Sequence, residues 1–244
     1  EPEHLIDLNN VPELSYLKIE GGMLKIGAMT REVETEESID VANHFPIFAD
    51  VAKLIADPQV RNFGTLGGNL AHGDAANDQP AVMLALNASV EIAGLNGRRT
   101  VGIDDFFYGF YATAVQEDEI LTEISIPIPM GLSGNAYHKV ERKVGDYATG
   151  GVAVHLEFDE QRICTKAGIG LTNVNPTPLR AVRSEAALVG TSLNEEDIAS
   201  AAQYASEDCN PSSDLRGDKD YKRHIIKAIT KKMINKAKQR AFNN

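Results

Sequence analysis

The residues best suited to chemistry in this 244-residue chain lie in one short segment between two apolar runs. Four glycines fall within ten residues there, at positions 64, 67, 68 and 73, and small or amide side chains such as Thr65, Asn69 and Asn77 surround them. Glycine lets the backbone adopt positive φ and lets another group approach closely, and successive N–H groups in such turns form a nest that binds phosphate oxygens. The segment therefore predicts a loop around the pyrophosphate of a nucleotide cofactor. A long surface connection is the alternative, because neither G-x-G-x-x-G nor G-x-x-x-x-G-K-S/T occurs in the chain.

Composition and charge narrow the class of protein. A net charge of −11 argues against nucleic acid as a partner, no run of 18 apolar residues predicts a membrane span, and residues 1–4 do not resemble a signal peptide. Cys164 and Cys209 are too few for an iron–sulfur cluster, which takes four ligands, and they lack metal-binding spacing with the six histidines. We therefore expect no metal site, and two buried, reduced cysteines in a cytoplasmic protein.

The charge is uneven along the chain. Residues 218–244 carry a net charge of +7, so residues 1–217 carry −18. A basic terminal helix on an acidic body predicts either a docking surface or a solvated helix face.

The elements that position the glycine-rich segment are short hairpins and helices. Hairpins are predicted at 14–28, across a Gly-Gly turn, and at 89–101, across Asn96-Gly97. The patterns also predict, in chain order, an acidic helix and loop at 31–44, a helix from Pro46 that Pro58 ends, a helix at 80–86, an aromatic core segment at 104–111 and a strand with Ile120, Thr122, Ile124 and Ile126 on one face.

A linker at Pro127–Gly134 divides the chain into predicted domains 1–128 and 129–244. Beyond it, strands are expected at 136–143, 151–158 and 163–171, followed by helices near 180–189, 195–206 and 218–238. Strands and then helices, segregated in sequence, predict an α+β fold.

The motif Arg61-Asn62-x-Gly64-Thr65-Leu66-Gly67-Gly68-Asn69, followed by Asp78-x-Pro80, resembles the second flavin motif of the FAD-binding medium subunits of molybdenum hydroxylases. That family includes carbon monoxide dehydrogenase and xanthine dehydrogenase. Residues 142–148 and 211–217 also match recurrent patterns of its C-terminal domain. The resemblance implies the second lobe of a PCMH-type FAD-binding domain, then a C-terminal three-stranded antiparallel sheet plus a helix bundle.

Family members begin with a further N-terminal lobe that carries a first flavin loop, and this lobe is not found before the stretch that starts at Pro2. The chain also lacks an initiator Met. Both observations predict a processed or truncated product, or a fragment that holds FAD weakly.

By motif position, the resemblance implies that Thr65, Gly67, Gly68 and Asn69 contact the FAD diphosphate through backbone N–H groups and short side chains. Asp78 matches the acid on the ribose or adenine side of the cofactor, and a helix cap before Pro80 is its alternative.

Three further positions follow from the same resemblance. Leu121 matches a residue whose backbone meets the adenine, although a core strand residue fits equally. Lys139 matches the flavin-contacting lysine, a cation that would raise the flavin potential, and a one-residue slip would give this role to His138. Tyr147 lies in the loop near the isoalloxazine ring, or at a domain interface.

The resemblance implies an FAD-binding subunit that passes electrons from the [2Fe–2S] clusters of a small subunit through FAD to an external acceptor, while a large subunit hydroxylates substrate at molybdopterin. Such a subunit needs no catalytic acid or base, because the chemistry belongs to the flavin. A structural or assembly module without flavin is the alternative, and a stand-alone flavin oxidase is a third reading. The sequence does not specify the substrate, the electron acceptor or the oligomeric state.

Overall fold

Residues 3–243, the part of the chain that the computed structural model describes, form two large antiparallel sheets, a third sheet of two short strands, and helices packed on the large sheets. The strands are β1 (Leu17–Glu20), β2 (Met23–Gly27), β3 (Ser89–Gly94), β4 (Gly97–Gly102), β5 (Phe107–Gly109), β6 (Ala112–Thr113), β7 (Glu119–Pro127), β8 (Leu132–Val140), β9 (Gly150–Phe158), β10 (Cys164–Thr172) and β11 (Leu179–Arg180). The helices are α1 (Glu32–Glu37), α2 (Ile39–His44), α3 (Ile47–Ala52), α4 (Pro58–Phe63), α5 (Leu66–His72), α6 (Gln79–Ala85), α7 (Val182–Leu188), α8 (Glu195–Asp208) and α9 (Lys219–Phe242). None of these helices has the length and apolar character needed to cross a membrane. The predicted α+β class is confirmed.

The first sheet combines the two predicted hairpins, both confirmed, in the order β1-β2-β7-β3-β4. The prediction that Ile120 shares one face of β7 with Thr122, Ile124 and Ile126 is wrong for Ile120. The pairing of β3 with β7 shifts register between Glu91 and Ile92, and this bulge turns Leu121 into the core while Ile120 is 41% exposed. A bulge adds one residue to a strand and thereby inverts the faces beyond it.

The glycine-rich segment is mostly helical, so the predicted loop is wrong. The helix that begins after Pro46 ends at Ala52, and Pro58 starts α4 instead of ending the earlier helix. Thr65 then caps α5, which contains two of the four glycines. Proline has no N–H to lose in a first turn, and threonine supplies the oxygen that a helix start requires.

The second sheet has the order β11-β10-β9-β8 and confirms the predicted strands. Strand β8 begins at Leu132, so the linker is shorter than predicted and covers 128–131. Successive residues of β8 point to opposite faces. Gly134 and Ala136 face α9, the longest of the three predicted C-terminal helices, all of which are confirmed. Tyr137 belongs to the other core, on the side of α6.

Helix α6 lies directly on β10 because two strand positions lack side chains. A Cβ at Gly168 would lie 2.0 Å from the carbonyl oxygen of Ala85, and one at Gly170 would lie 2.0 Å from that of Ala81. The sheet is therefore enclosed between α6 and the C-terminal helices, and the two halves of the chain share a core.

The basic helix α9 uses several of its cations inside the protein. Lys236 Nζ lies 2.7 Å from Asp50 Oδ1, and Arg240 Nη1 lies 2.7 Å from Asp50 Oδ2. Lys222 is buried and pairs with Asp214 at 2.7 Å. These cations tie α9 to the rest of the fold, and neither of the two roles predicted for the basic segment includes such contacts.

The aromatic segment 104–111 is only partly core, which corrects the prediction. Phe106 is fully buried, whereas Tyr108, Phe110 and Tyr111 are each more than half exposed. Cys164 and Cys209 are both free and buried, as predicted.

Candidate functional site

A cavity of about 640 Å³ opens where α4, α5 and the start of α6 meet the end of β8 and the loop that follows it. Six of the eight predicted site residues line it: Thr65, Gly68, Asn69, Asp78, Lys139 and Tyr147. The fold therefore brings together groups that are up to 82 positions apart in sequence. Gly67 and Leu121 do not line the cavity.

The backbone N–H groups at the start of α5 are largely engaged within the protein. Gly67 N–H donates to the Ala28 carbonyl at 3.0 Å, and Gly68 N–H donates to Thr65 Oγ1 at 3.1 Å. Neither glycine has positive φ, so the expected turn geometry is wrong for both; of the four glycines, only Gly73 has it. The predicted nest of free N–H groups is therefore not formed by these two residues.

Close packing explains these glycines instead. A Cβ at Gly67 would lie 2.5 Å from that of Ala28, so this residue seats α5 against the end of β2. A Cβ at Gly68 would lie 2.7 Å from Thr65 Oγ1, and both residues line the cavity. Gly68 therefore leaves room where a ligand would approach the helix start.

Asn69 presents an unpaired polar atom at the same end of the cavity. Its Oδ1 is buried and has no hydrogen-bond partner within residues 3–243, while its backbone carbonyl accepts from Asn77 Nδ2 at 3.0 Å. Buried polar atoms without partners are rare in folded proteins. Asn69 Oδ1 is thus free to accept a hydrogen bond from a donor group of a bound molecule.

Asp78 anchors a buried polar cluster. Its Oδ2 accepts from Lys139 Nζ at 2.8 Å and its Oδ1 accepts from the Tyr137 hydroxyl, with the Lys139 and Asp78 side chains 2% and 7% exposed. Burial raises the pKa of Asp78, and the charge of Lys139 opposes this effect. The carboxylate makes no hydrogen bond to its own helix, so the alternative of a helix cap is wrong.

Lys139, and not His138, faces the cavity. Adjacent strand residues point to opposite faces, and the pKa of His138 is lowered by burial and by Lys232 and Lys236 of α9. The cation predicted to raise the flavin potential is already engaged within the protein, because Asp78 pairs with Lys139 and the Asp146 carbonyl accepts from Nζ at 2.9 Å. The pair brings little net charge to a ligand.

The loop after β8 is fixed by Asp146. Its carboxylate accepts from Arg216 at 3.0 Å and from Arg142 at 3.0 Å, and the hydrogen bond from Arg216 is the largest cause that lowers the pKa of Asp146 to about 2. Arg216 and Asp146 belong to the two C-terminal motifs recognised in the sequence, so these motifs contact each other. Tyr147, 49% exposed, stands at the rim of the cavity with the Arg216 guanidinium 5.9 Å from its ring centre.

Glu32 also lines the cavity, and no motif of the sequence pointed to it. It is 2% exposed, its Oε2 accepts from Gln79 Nε2 at 2.6 Å, and its Oε1 has no partner among residues 3–243. Burial raises the pKa of Glu32 to about 7. It sits in an acidic stretch that resembles any exposed helix, so only the tertiary contact with Gln79 distinguishes it.

Comparison with known proteins places this chain in a family. The family described as FAD binding domain in molybdopterin dehydrogenase matches residues 1–129, and the CO dehydrogenase flavoprotein C-terminal domain matches residues 135–237. The chain belongs to the FAD-binding medium subunits of molybdenum hydroxylases. The recognition made from the motif at 61–80 is thereby confirmed.

Relatives in this family match the chain almost end to end. The carbon monoxide dehydrogenase medium chain of Hydrogenophaga pseudoflava is 44% identical over 97% of this chain and 82% of its own length. The nicotine 6-hydroxylase medium subunit of Paenarthrobacter nicotinovorans is 36% identical over 97% of this chain and 83% of its own. A solved structure of the Hydrogenophaga pseudoflava carbon monoxide dehydrogenase superposes with a TM-score of 0.95 and 46% identity, over 98% of this chain and 83% of that one.

The residues of the cavity fit the cofactor of the family. Gly68 leaves space at the start of α5, Asn69 has an unpaired oxygen and Glu32 has a second one. The space at Gly68 suits a phosphate, and the two oxygens suit hydroxyl donors such as those of a ribityl chain. No group of three or more His, Cys, Asp or Glu residues within the described part of the chain could hold a metal ion.

Proposed function

We propose that this chain is the FAD-binding, electron-transfer subunit of a molybdenum hydroxylase. Electrons would arrive from [2Fe–2S] clusters in a small subunit, after substrate is oxidised at molybdopterin in a large subunit. They would leave through FAD to an external acceptor in the cytoplasm. The observation that carries the proposal is the convergence of six motif-derived residues on one cavity.

Three parts of the cavity divide the work of holding the cofactor. Thr65, Gly68 and Asn69 would contact the diphosphate region, where the glycine leaves room and the side-chain N–H of Asn69 would donate a hydrogen bond. Asp78 and Lys139 would keep each other's side chain in a fixed position in the cavity wall through their buried ion pair.

Tyr147 would lie against the ring system of the cofactor, because it is the exposed aromatic residue on the loop that Asp146 fixes. FAD, when bound, supplies the redox chemistry, and the protein positions it and sets its surroundings. This assignment requires no catalytic acid or base from the chain.

Gly67 and Leu121 do not line the cavity, so their proposed roles differ from those of the other six residues. Gly67 would act by seating α5 and not by touching the cofactor, since its N–H is engaged by Ala28. The side chain of Leu121 is 7% exposed in the first core, so only its backbone is offered for an adenine contact.

The substrate would be set by the large subunit. Relatives of this chain at 44% and 36% identity are named for carbon monoxide dehydrogenase and for nicotine 6-hydroxylase. Similar medium subunits thus occur in complexes named for different chemistry. The chain would divide into an FAD-binding part at 1–128 and a C-terminal part at 129–244.

The test is flavin binding and assembly of the chain with its partners. The chain is expressed together with candidate [2Fe–2S] and molybdopterin subunits, and the complex is purified by a tag on this chain. We expect the three subunits to elute together with one FAD per copy, measured by flavin absorbance after acid extraction. Assembly without flavin, even after incubation with added FAD, would leave the structural module as the better account.

A pair of variants ties the flavin to the cavity. Asn69→Leu keeps the size of the side chain and removes both polar atoms, so we expect affinity for FAD to fall about tenfold or more. The matched control is Asn235→Leu on the exposed side of α9, which should retain full flavin content. Equal flavin content in both variants would remove Asn69 from the site.

A further inference from the structure

Glu32 is a buried acid in a cavity whose proposed ligand is an anion. It lies at the start of α1, where its backbone N–H donates to the Gly64 carbonyl at 3.0 Å and holds it beside the beginning of α5. This hydrogen bond fixes the backbone position from which the Glu32 carboxyl group reaches the cavity.

One half of this carboxyl is used and the other is free. Oε2 accepts from Gln79 Nε2 at 2.6 Å, whereas Oε1 is buried without a partner within residues 3–243. An ionised carboxylate is acceptor-only, and a protonated one gains an O–H donor. Phosphate and carbonyl oxygens of a cofactor only accept hydrogen bonds, so they can pair with Oε1 only when the carboxyl is protonated.

We propose that Glu32 is a positioning residue for the cofactor and takes up one proton from solvent when FAD binds. This inference rests on the proposed function. The proton adds to Oε1 and the new O–H donates to an acceptor oxygen of the cofactor, while Oε2 keeps its bond from Gln79. No other bond forms or breaks, and the cavity loses one negative charge as an anionic ligand enters it.

The surrounding charges support the direction of this coupling. Burial and the nearby charge of Asp78 raise the pKa of Glu32, while the hydrogen bond from Gln79 and the charge of Arg61 lower it, with a result of about 7. His72, Lys139 and Asp146 also line the cavity. A dianionic diphosphate adds negative charge, which favours the neutral carboxyl further.

The test is the dissociation constant for FAD between pH 6 and 8.5, measured by flavin fluorescence on the full chain. Above about pH 7 we expect the constant to rise towards tenfold per pH unit, because the ionised site must first gain a proton. In Glu32→Gln the constant should change less than about twofold per unit. Glu37→Gln, on the exposed side of the same helix, is the matched control and should keep the wild-type slope.

Calorimetry on the wild type alone gives a second readout that does not depend on a folded variant. Titrations at pH 8 in two buffers of different ionisation enthalpy should show uptake of about one proton per FAD. Zero uptake, a flat wild-type profile, or an equal slope in Glu32→Gln would overturn the inference, and the last result would point to His72. These outcomes leave flavin binding intact, whereas no FAD binding at any pH would refute the proposed function and the inference with it.

Discussion

Replacing Lys139 with Met tests the buried ion pair at the centre of the site. The substitution keeps most of the stem and removes the cation 2.8 Å from Asp78 Oδ2, in a place where both side chains are less than a tenth exposed. Breaking a buried pair in this way costs about 3–5 kcal/mol. Protonation of Asp78 limits the loss in the free energy of unfolding, because the neutral carboxyl no longer needs a cation beside it. Holding a carboxyl with an ordinary pKa of 3.8 neutral costs about 4 kcal/mol at pH 7 and about 2 kcal/mol at pH 5.

We therefore expect Lys139→Met to lower the free energy of unfolding by about 3–4 kcal/mol at pH 7 and by about 2 kcal/mol at pH 5. The sign follows because the folded variant holds a proton on Asp78 that the unfolded chain releases, so its stability falls as pH rises above 3.8. Urea denaturation followed by circular dichroism, without added FAD, measures both values.

Two further variants make the result decisive. Asp78→Asn combined with Lys139→Met removes both charges and keeps an oxygen for the Tyr137 hydroxyl, so it should recover about 2 kcal/mol of the loss at pH 7. Lys143→Met replaces an exposed lysine of the same loop and should stay within about 0.5 kcal/mol of wild type. A loss below about 1 kcal/mol that does not vary with pH, or a double variant weaker than the single one, would refute the reasoning.

Three more expectations follow from the same contacts. Gly68→Val should fold but retain no FAD after gel filtration, since its Cβ would meet Thr65 Oγ1 at 2.7 Å and its branch would fill the cavity; normal flavin content would contradict this. In the cofactor-free protein, Glu32 should make the free energy of unfolding fall, by at most about 3 kcal/mol, as pH rises from 4.5 to about 7, because the folded chain alone keeps the proton there. Urea titrations should find this slope absent in Glu32→Gln, and an unchanged slope would show that another group causes it. Asp50→Ala should cost about 2 kcal/mol or more in the same assay, as two cations of α9 lose their carboxylate; a loss within about 0.5 kcal/mol would mean that these bonds contribute nothing.

Short sequence patterns correctly predicted the elements that depend on interactions between residues close together in the chain. The hairpins at 14–28 and 89–101 and the three long strands of the second sheet follow from alternation and turn residues, which act over a few positions. The bulge that turns Leu121 inward depends on pairing with β3, so alternation within β7 alone gave the wrong face for Ile120.

The prediction for the glycine-rich segment was wrong because contacts with other parts of the chain decide its structure. Four glycines predict a loop when only intrinsic preference counts, but Thr65 caps a helix there and Ala28 fills the space beside Gly67. The partners of Asp78 lie 59 and 61 residues away on β8, and no short pattern encodes that meeting. Resemblance to a family found six residues of the cavity, and the unassigned Glu32 became visible only through its burial.

The glycines of β10 have a mechanical consequence. Two residues of a strand advance about 6.6 Å and four residues of a helix about 6.0 Å, so the pairs Gly168–Gly170 and Ala85–Ala81 match in length and run in opposite directions. Each helix carbonyl therefore lies over one strand glycine. Sliding the helix along the strand by less than this spacing would drive a carbonyl oxygen into the strand backbone, and the next matching position is about 6 Å away. Asp78, directly before α6, is thereby placed against the sheet whose strand β8 carries Lys139 by backbone packing that does not depend on the ion pair.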